Sequence, residues 1–90
     1  MTREPRYRQD DRIPCQQIEG QAVIVVPAQS EVHLLDEVGT FLWGELRRSR
    51  SVKELAGSVC DEYDVDLERA ERDVRAFLDT MAGKGLLIRE

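Results

Sequence analysis

The sequence predicts an α+β domain of winged helix-turn-helix type, a three-stranded antiparallel sheet followed by three helices. Three observations predict it. A β-branched run, Ala22 to Val26, stands between turn-forming residues. From Val38 onward apolar residues recur at helical spacing. Each of the three helical repeats is preceded by a residue suited to cap it: Asp36, Ser51 and Asp66.

Residues 1–12 mix Arg3, Arg6, Arg8 and Arg12 with Glu4, Asp10 and Asp11, and only Tyr7 suits a core, so a mobile tail is expected there. The folded domain is then 13–90. Ile13 to Ile18 reads as a first strand, confined to an edge or a late start by Pro14. Glu19-Gly20-Gln21 is a hairpin turn in which Gly20 is free to take a positive φ. Ala22 to Val26 is apolar throughout, which suits the central strand, and Pro27 ends it. After a turn at Ala28-Gln29-Ser30, Glu31 to Leu35 forms the third strand.

The first helix starts at once, with Asp36 as N-cap and Glu37 favoured by the helix dipole. Its stripe is Val38, Phe41, Leu42 and Leu46, widened by Trp43. Ser51 and Glu54 form a capping box for the second helix, whose stripe is Val52, Leu55, Ala56, Val59, Cys60 and Tyr63. The third stripe is Leu67, Ala70, Val74, Phe77, Leu78 and Met81. Gly83 or Gly85 closes that helix, and Leu86-Leu87-Ile88 docks on the core or forms a final short strand.

Ninety residues make one domain, with little chain to spare for a deep catalytic cavity. A formal charge of −5 argues against a general nucleic-acid binder and is compatible with a soluble protein partner or a basic peptide. No apolar run approaches the roughly 18 residues of a membrane span, and the N-terminus is charged, so a cytoplasmic protein is expected. Cys15 and Cys60 lack metal-ligand spacing, and no disulfide is expected between them; Cys60 reads as a small buried hydrophobe.

Residues that could carry catalysis are sparse. His33 has no partner of the kind a metal or nucleophile site needs. The acidic pairs Asp61-Glu62 and Glu68 with Glu71 fall on solvated helix faces, and no glycine-rich phosphate loop is present. Neither an enzyme nor a metal or cofactor site is expected. In a DNA-binding reading the third helix would enter the major groove. There Glu68, Glu71, Asp73 and Asp79 cancel Arg69, Arg72, Arg75 and Lys84, leaving no positive face. Arg47, Arg48, Arg50 and Lys53 lie between the first two helices; the dipole of the first accounts for some of them, and the rest form a candidate docking patch for an acidic partner.

The third strand carries the strongest functional signal. Glu31 and His33 make it too polar for burial on both faces, and an edge strand keeps backbone N–H and C=O groups for another chain to use. Val32 and Leu34 share one face, His33 and Leu35 the other, and either pair could face the core.

From Val32 to Ile88 the chain resembles the PQQ synthesis protein D (PqqD-like) family, also called RiPP recognition elements. The resemblance rests on Leu35, Asp36 and Gly39, on Leu42-Trp43, and on Ser51-Val52 with Glu54-Leu55. It continues through Tyr63 and Val65, Asp73-Val74 with Phe77-Leu78, and Gly85-Leu86-Leu87. Many members carry Asn and Thr where this chain has Asp36 and Val38; Asp caps a helix as well as Asn. The resemblance implies a winged-helix-like domain that binds the leader segment of a ribosomally made precursor. It would present that peptide to a modifying enzyme, often a radical SAM maturase, in PQQ or other RiPP biosynthesis. The leader would add to Glu31, Val32, His33, Leu34 and Leu35 and lie against the third helix at Arg69, Asp73, Ala76, Phe77 and Thr80. An exposed edge also allows a homodimer or strand-exchanged dimer. The competing readings are a winged-helix DNA-binding module and a subunit whose edge docks permanently on an enzyme.

Overall fold

The computed structural model describes residues 4–26 and 29–90. The expected stop at Pro27 and the first residue of the expected turn, Ala28, lie outside them. In chain order the elements are β1 (Arg6–Gln9), β2 (Cys15–Ile18), β3 (Gln21–Val26), β4 (Glu31–Leu34), α1 (Glu37–Glu45), β5 (Arg50–Ser51), α2 (Val52–Tyr63), α3 (Leu67–Gly83) and β6 (Leu87–Arg89). The strands make two antiparallel sheets, ordered β2-β3-β4 and β5-β1-β6.

The sheet β2-β3-β4 has the expected centre. β2 starts at Cys15, just after Pro14, and Ile18 pairs with Gln21 across a two-residue turn. Both turn residues have positive φ, Glu19 at 52° and Gly20 at 83°, the mirror-image geometry that matches strand twist. Ala22, Ile24 and Val26 of β3 are buried against Leu35, Trp43, Met81 and Leu86. A second cluster joins the helices through Leu42, Leu46, Leu55, Ala56, Val59, Ala70, Val74 and Leu78, and Phe77 packs against both clusters.

All three expected caps are in place: Asp36 accepts from Gly39 N–H, Ser51 and Glu54 complete the capping box, and Asp66 accepts from Arg69 N–H. Gly85, with φ 74°, turns the chain after α3, and Leu86 is fully buried. Cys60 is half-buried beside the helical core, and both cysteines are free.

Two expectations are corrected. Residues 6–9, expected within the mobile tail, form the middle strand of the second sheet. Backbone bonds run from Gln9 N–H to Leu46 C=O at 2.8 Å and from Asp10 N–H to Leu86 C=O at 3.0 Å. Arg6 reaches Ser49 C=O at 2.8 Å and Glu54 at 2.9 Å, and Tyr7 packs on the helical core. The segment lacks apolar alternation because its anchors are backbone bonds and charges. The second correction is Leu67, which is 54% exposed. It is the first residue of α3, ahead of the point where that helix meets the core at Ala70.

Asp10 fixes the turn after β1. Its buried carboxylate accepts from Arg12 N–H at 3.0 Å and from the Arg12 guanidinium at 2.8 and 3.0 Å. These bonds, the side-chain ones first, hold its pKa at about 2 against an ordinary 3.8. A carboxyl depressed in the folded state stabilises the fold fully above its unfolded pKa, and that contribution is lost as pH falls through the folded value. The wild-type melting temperature should therefore drop as the pH is taken from about 4 to about 2. Asp10→Asn should start lower and fall less, which thermal melts by circular dichroism would show.

Candidate functional site

β4 is an edge strand, and its register decides which of its groups are open. It pairs with β3 as Val23↔Leu34, Ile24↔His33, Val25↔Val32 and Val26↔Glu31. Leu35 N–H donates to Ala22 C=O at 3.0 Å. Backbone groups alternate in direction along an antiparallel strand, so Glu31, His33 and Leu35 bond to β3. The N–H and C=O of Val32 and Leu34 then point away from the sheet, toward open space.

The same register settles the question of faces. His33 and Leu35 lie on the core side with Ile24 and Ala22, while Val32 and Leu34 lie on the outer face opposite Val25 and Val23. Val32 is 66% and Leu34 60% exposed, and Ile18 and Val25 continue this apolar outer face. β3 is thus apolar on both faces with only one covered by the fold.

Between β4 and α3 runs a groove of about 350 Å³, lined by His33, Leu34, Leu35, Asp36, Ala76, Phe77, Thr80 and Met81. One end is bridged by Lys84 Nζ and Glu31 Oε1, 2.7 Å apart. The hydrogen bond and charge of Lys84 hold the Glu31 carboxyl below its ordinary range. At the other end the chain passes directly into α1, where the buried Thr40 Oγ1 accepts from Ala22 N–H at 3.0 Å. That bond anchors the start of β3 to the helix beside it. Gly39 lets α1 pack closely on Phe77 of α3: a Cβ there would meet Asp36 Oδ1 at 3.1 Å and the Phe77 ring at 3.4 Å.

Of the expected helix wall, Ala76, Phe77 and Thr80 line the groove, whereas Arg69 and Asp73 do not. Those two pair with each other at 3.8 Å on the surface. Length explains the difference. Four strand residues span about 13 Å, and α3 rises only about 1.5 Å per residue. With Glu31 bonded to Lys84, the groove reaches back to Ala76, and Asp73 and Arg69 lie beyond it. No pattern in the sequence marks Asp36, Met81 or Lys84 as site residues. Met81 belongs to the expected core stripe and serves both roles; the Lys84–Glu31 pair is 53 residues apart and leaves no local signal.

The basic residues are spread along the connection from α1 through β5 into α2. Arg47 and Arg48 are exposed just after α1, Arg50 is half-buried in β5, and Lys53 on α2 lies 3.9 Å from Glu4. Among the described residues no group of three or more His, Cys, Asp or Glu is placed to hold a metal ion. No described helix is long and apolar enough to cross a membrane.

The family described as coenzyme PQQ synthesis protein D (PqqD) matches residues 21–87. The chain belongs to the PqqD family. Two solved structures share its fold. One is TbiB1 in complex with the TbiA(beta) leader peptide, 31% identical with a TM-score of 0.79, covering 89% of this chain and 93% of that one. The other is a lasso peptide synthetase B1 complexed with the leader peptide. It is 22% identical with a TM-score of 0.78, covers 91% of this chain and 96% of that one, and bears on the fold alone. No curated protein matches the chain. In this PqqD-family chain one edge of the sheet β2-β3-β4 lies open beside α3.

Proposed function

We propose that this protein is a non-catalytic recognition domain that binds the leader segment of a ribosomally synthesised precursor and presents it to a modifying enzyme. The observation that carries this reading is the open edge of β4 set beside a groove of matching length on α3. An extended guest would bond to the N–H and C=O of Val32 and Leu34. Its side chains opposite His33 would enter the groove against Leu35, Ala76, Phe77, Thr80 and Met81. Those opposite Val32 and Leu34 would extend the apolar outer face. Backbone bonds give orientation with little demand on sequence, and the groove supplies selection.

The leader-bound TbiB1, 31% identical over most of both chains, supports the class of guest. Family membership supports a place beside a modifying enzyme, which we take to be a radical SAM maturase in PQQ or another RiPP pathway, with Arg47, Arg48, Arg50 and Lys53 as its docking residues. The DNA-binding alternative is weaker on charge, because Arg69–Asp73 and Arg72–Glu68 pair along the surface of α3. The reading is tested by titrating the protein with synthetic leader segments of candidate precursor peptides. Saturable one-to-one binding in calorimetry is expected; the absence of binding, with high affinity for duplex DNA instead, would reverse the choice.

A further inference from the structure

The sheet has a second open edge, β2, on the side away from β4. All four of its residues, Cys15, Gln16, Gln17 and Ile18, are exposed, and none is charged. Edge strands that avoid pairing usually carry a charge, a proline or a bulge, and between Cys15 and Ile18 β2 has no charge or proline. Val25 N–H donates to Pro14 C=O at 3.0 Å. By the same alternation, Gln16 and Ile18 bond to β3, while the backbone groups of Cys15 and Gln17 point outward.

Concave surfaces adjoin this edge on both faces. On the core side, β2 borders a cleft of about 190 Å³ lined by Gln9, Thr40, Trp43 and Arg47, with Cys15 and Gln17 at its rim. On the outer side lies a hollow of about 250 Å³ over Pro14, Val23 and Val25. The two differ in chemistry. Arg47 is exposed and makes no ion pair among the described residues, so the inner cleft has an unpaired cation on its wall. The outer hollow is mainly apolar.

We propose that β2 is a second strand-addition edge, which docks an extended segment of a partner protein. That segment carries a carboxylate side chain toward Arg47 and aliphatic side chains toward Val23 and Val25. A second copy of this chain fits less well, because its own β2 has no acid to offer Arg47 and each copy carries a charge of −5. The inference does not rest on leader binding, since β2 and β4 are opposite edges and both can be filled at once.

The test uses the full 15N-labelled chain with a blocked heptapeptide of alternating valine and glutamate, and the same peptide with glutamine for glutamate. The glutamate peptide should slow hydrogen exchange at the Cys15 and Gln17 amides. The glutamine peptide should bind about fivefold more weakly, the scale of an exposed ion pair. Arg47→Gln should erase that difference, and Gln17→Pro, which removes an outward N–H and spares the β2–β3 ladder, should abolish protection. Protection confined to Val32 and Leu34, or equal binding of the two peptides, would overturn the proposal. So would concentration-dependent protection of Cys15 and Gln17 without peptide, which would assign the edge to a second copy.

Discussion

Leu34→Pro is expected to weaken leader binding by about tenfold or more while leaving the fold intact. Proline removes one N–H, and at position 34 that N–H points away from β3. The guest loses a backbone bond, and the pyrrolidine ring stands where its carbonyl would approach. The β3–β4 ladder keeps its bonds through Glu31, His33 and Leu35. His33→Pro is the matched control, because its N–H points inward toward Ile24 and the substitution should lower the melting temperature. Calorimetric titration of both variants, with melts alongside, separates loss of the edge from loss of the sheet. Equal binding by Leu34→Pro and wild type would mean that the leader does not pair with β4.

Ala76→Trp should have an effect of similar or greater size by filling the groove. Ala76 is exposed on α3 and lines the groove without belonging to either buried cluster, so a larger side chain there need not disturb the core. Burying one aliphatic or aromatic anchor stabilises a complex by about 1.5–3 kcal/mol, and excluding it should cost roughly 10- to 150-fold in affinity. Arg69→Ala, on the same helix but outside the groove, should bind as wild type does. If Arg69→Ala weakened binding as much as Ala76→Trp, the guest would have to run further along α3 than β4 can follow.

Much of this arrangement is legible in the sequence because it is locally encoded. Asp36, Ser51 and Asp66 announce three helices within four residues of each start, and the apolar run of β3 marks the centre of a sheet. The open third strand is readable from Glu31 and His33. What is not legible depends on distant pairings. β1 is held by backbone bonds to Leu46 and Leu86 and by Arg6 on Ser49 and Glu54, none of which leaves an apolar pattern near Arg6. The face of β4 is set by its register with β3, and a one-residue slip would invert it. The extent of the groove follows from the Lys84–Glu31 bond, which joins residues 53 positions apart. Arg69 and Asp73 match the helical period of the wall, but period alone does not say where the strand alongside it stops.

The central claim is that a peptide strand adds to β4 through two named residues. Amide hydrogen exchange of the 15N-labelled protein, with and without a leader segment that binds it, tests it residue by residue. The Val32 and Leu34 amides should exchange quickly in the free protein and slow markedly on binding, while His33, already bonded to β3, should change little. If Val32 and Leu34 remain fast in the saturated complex, the leader does not bind by strand addition to this edge.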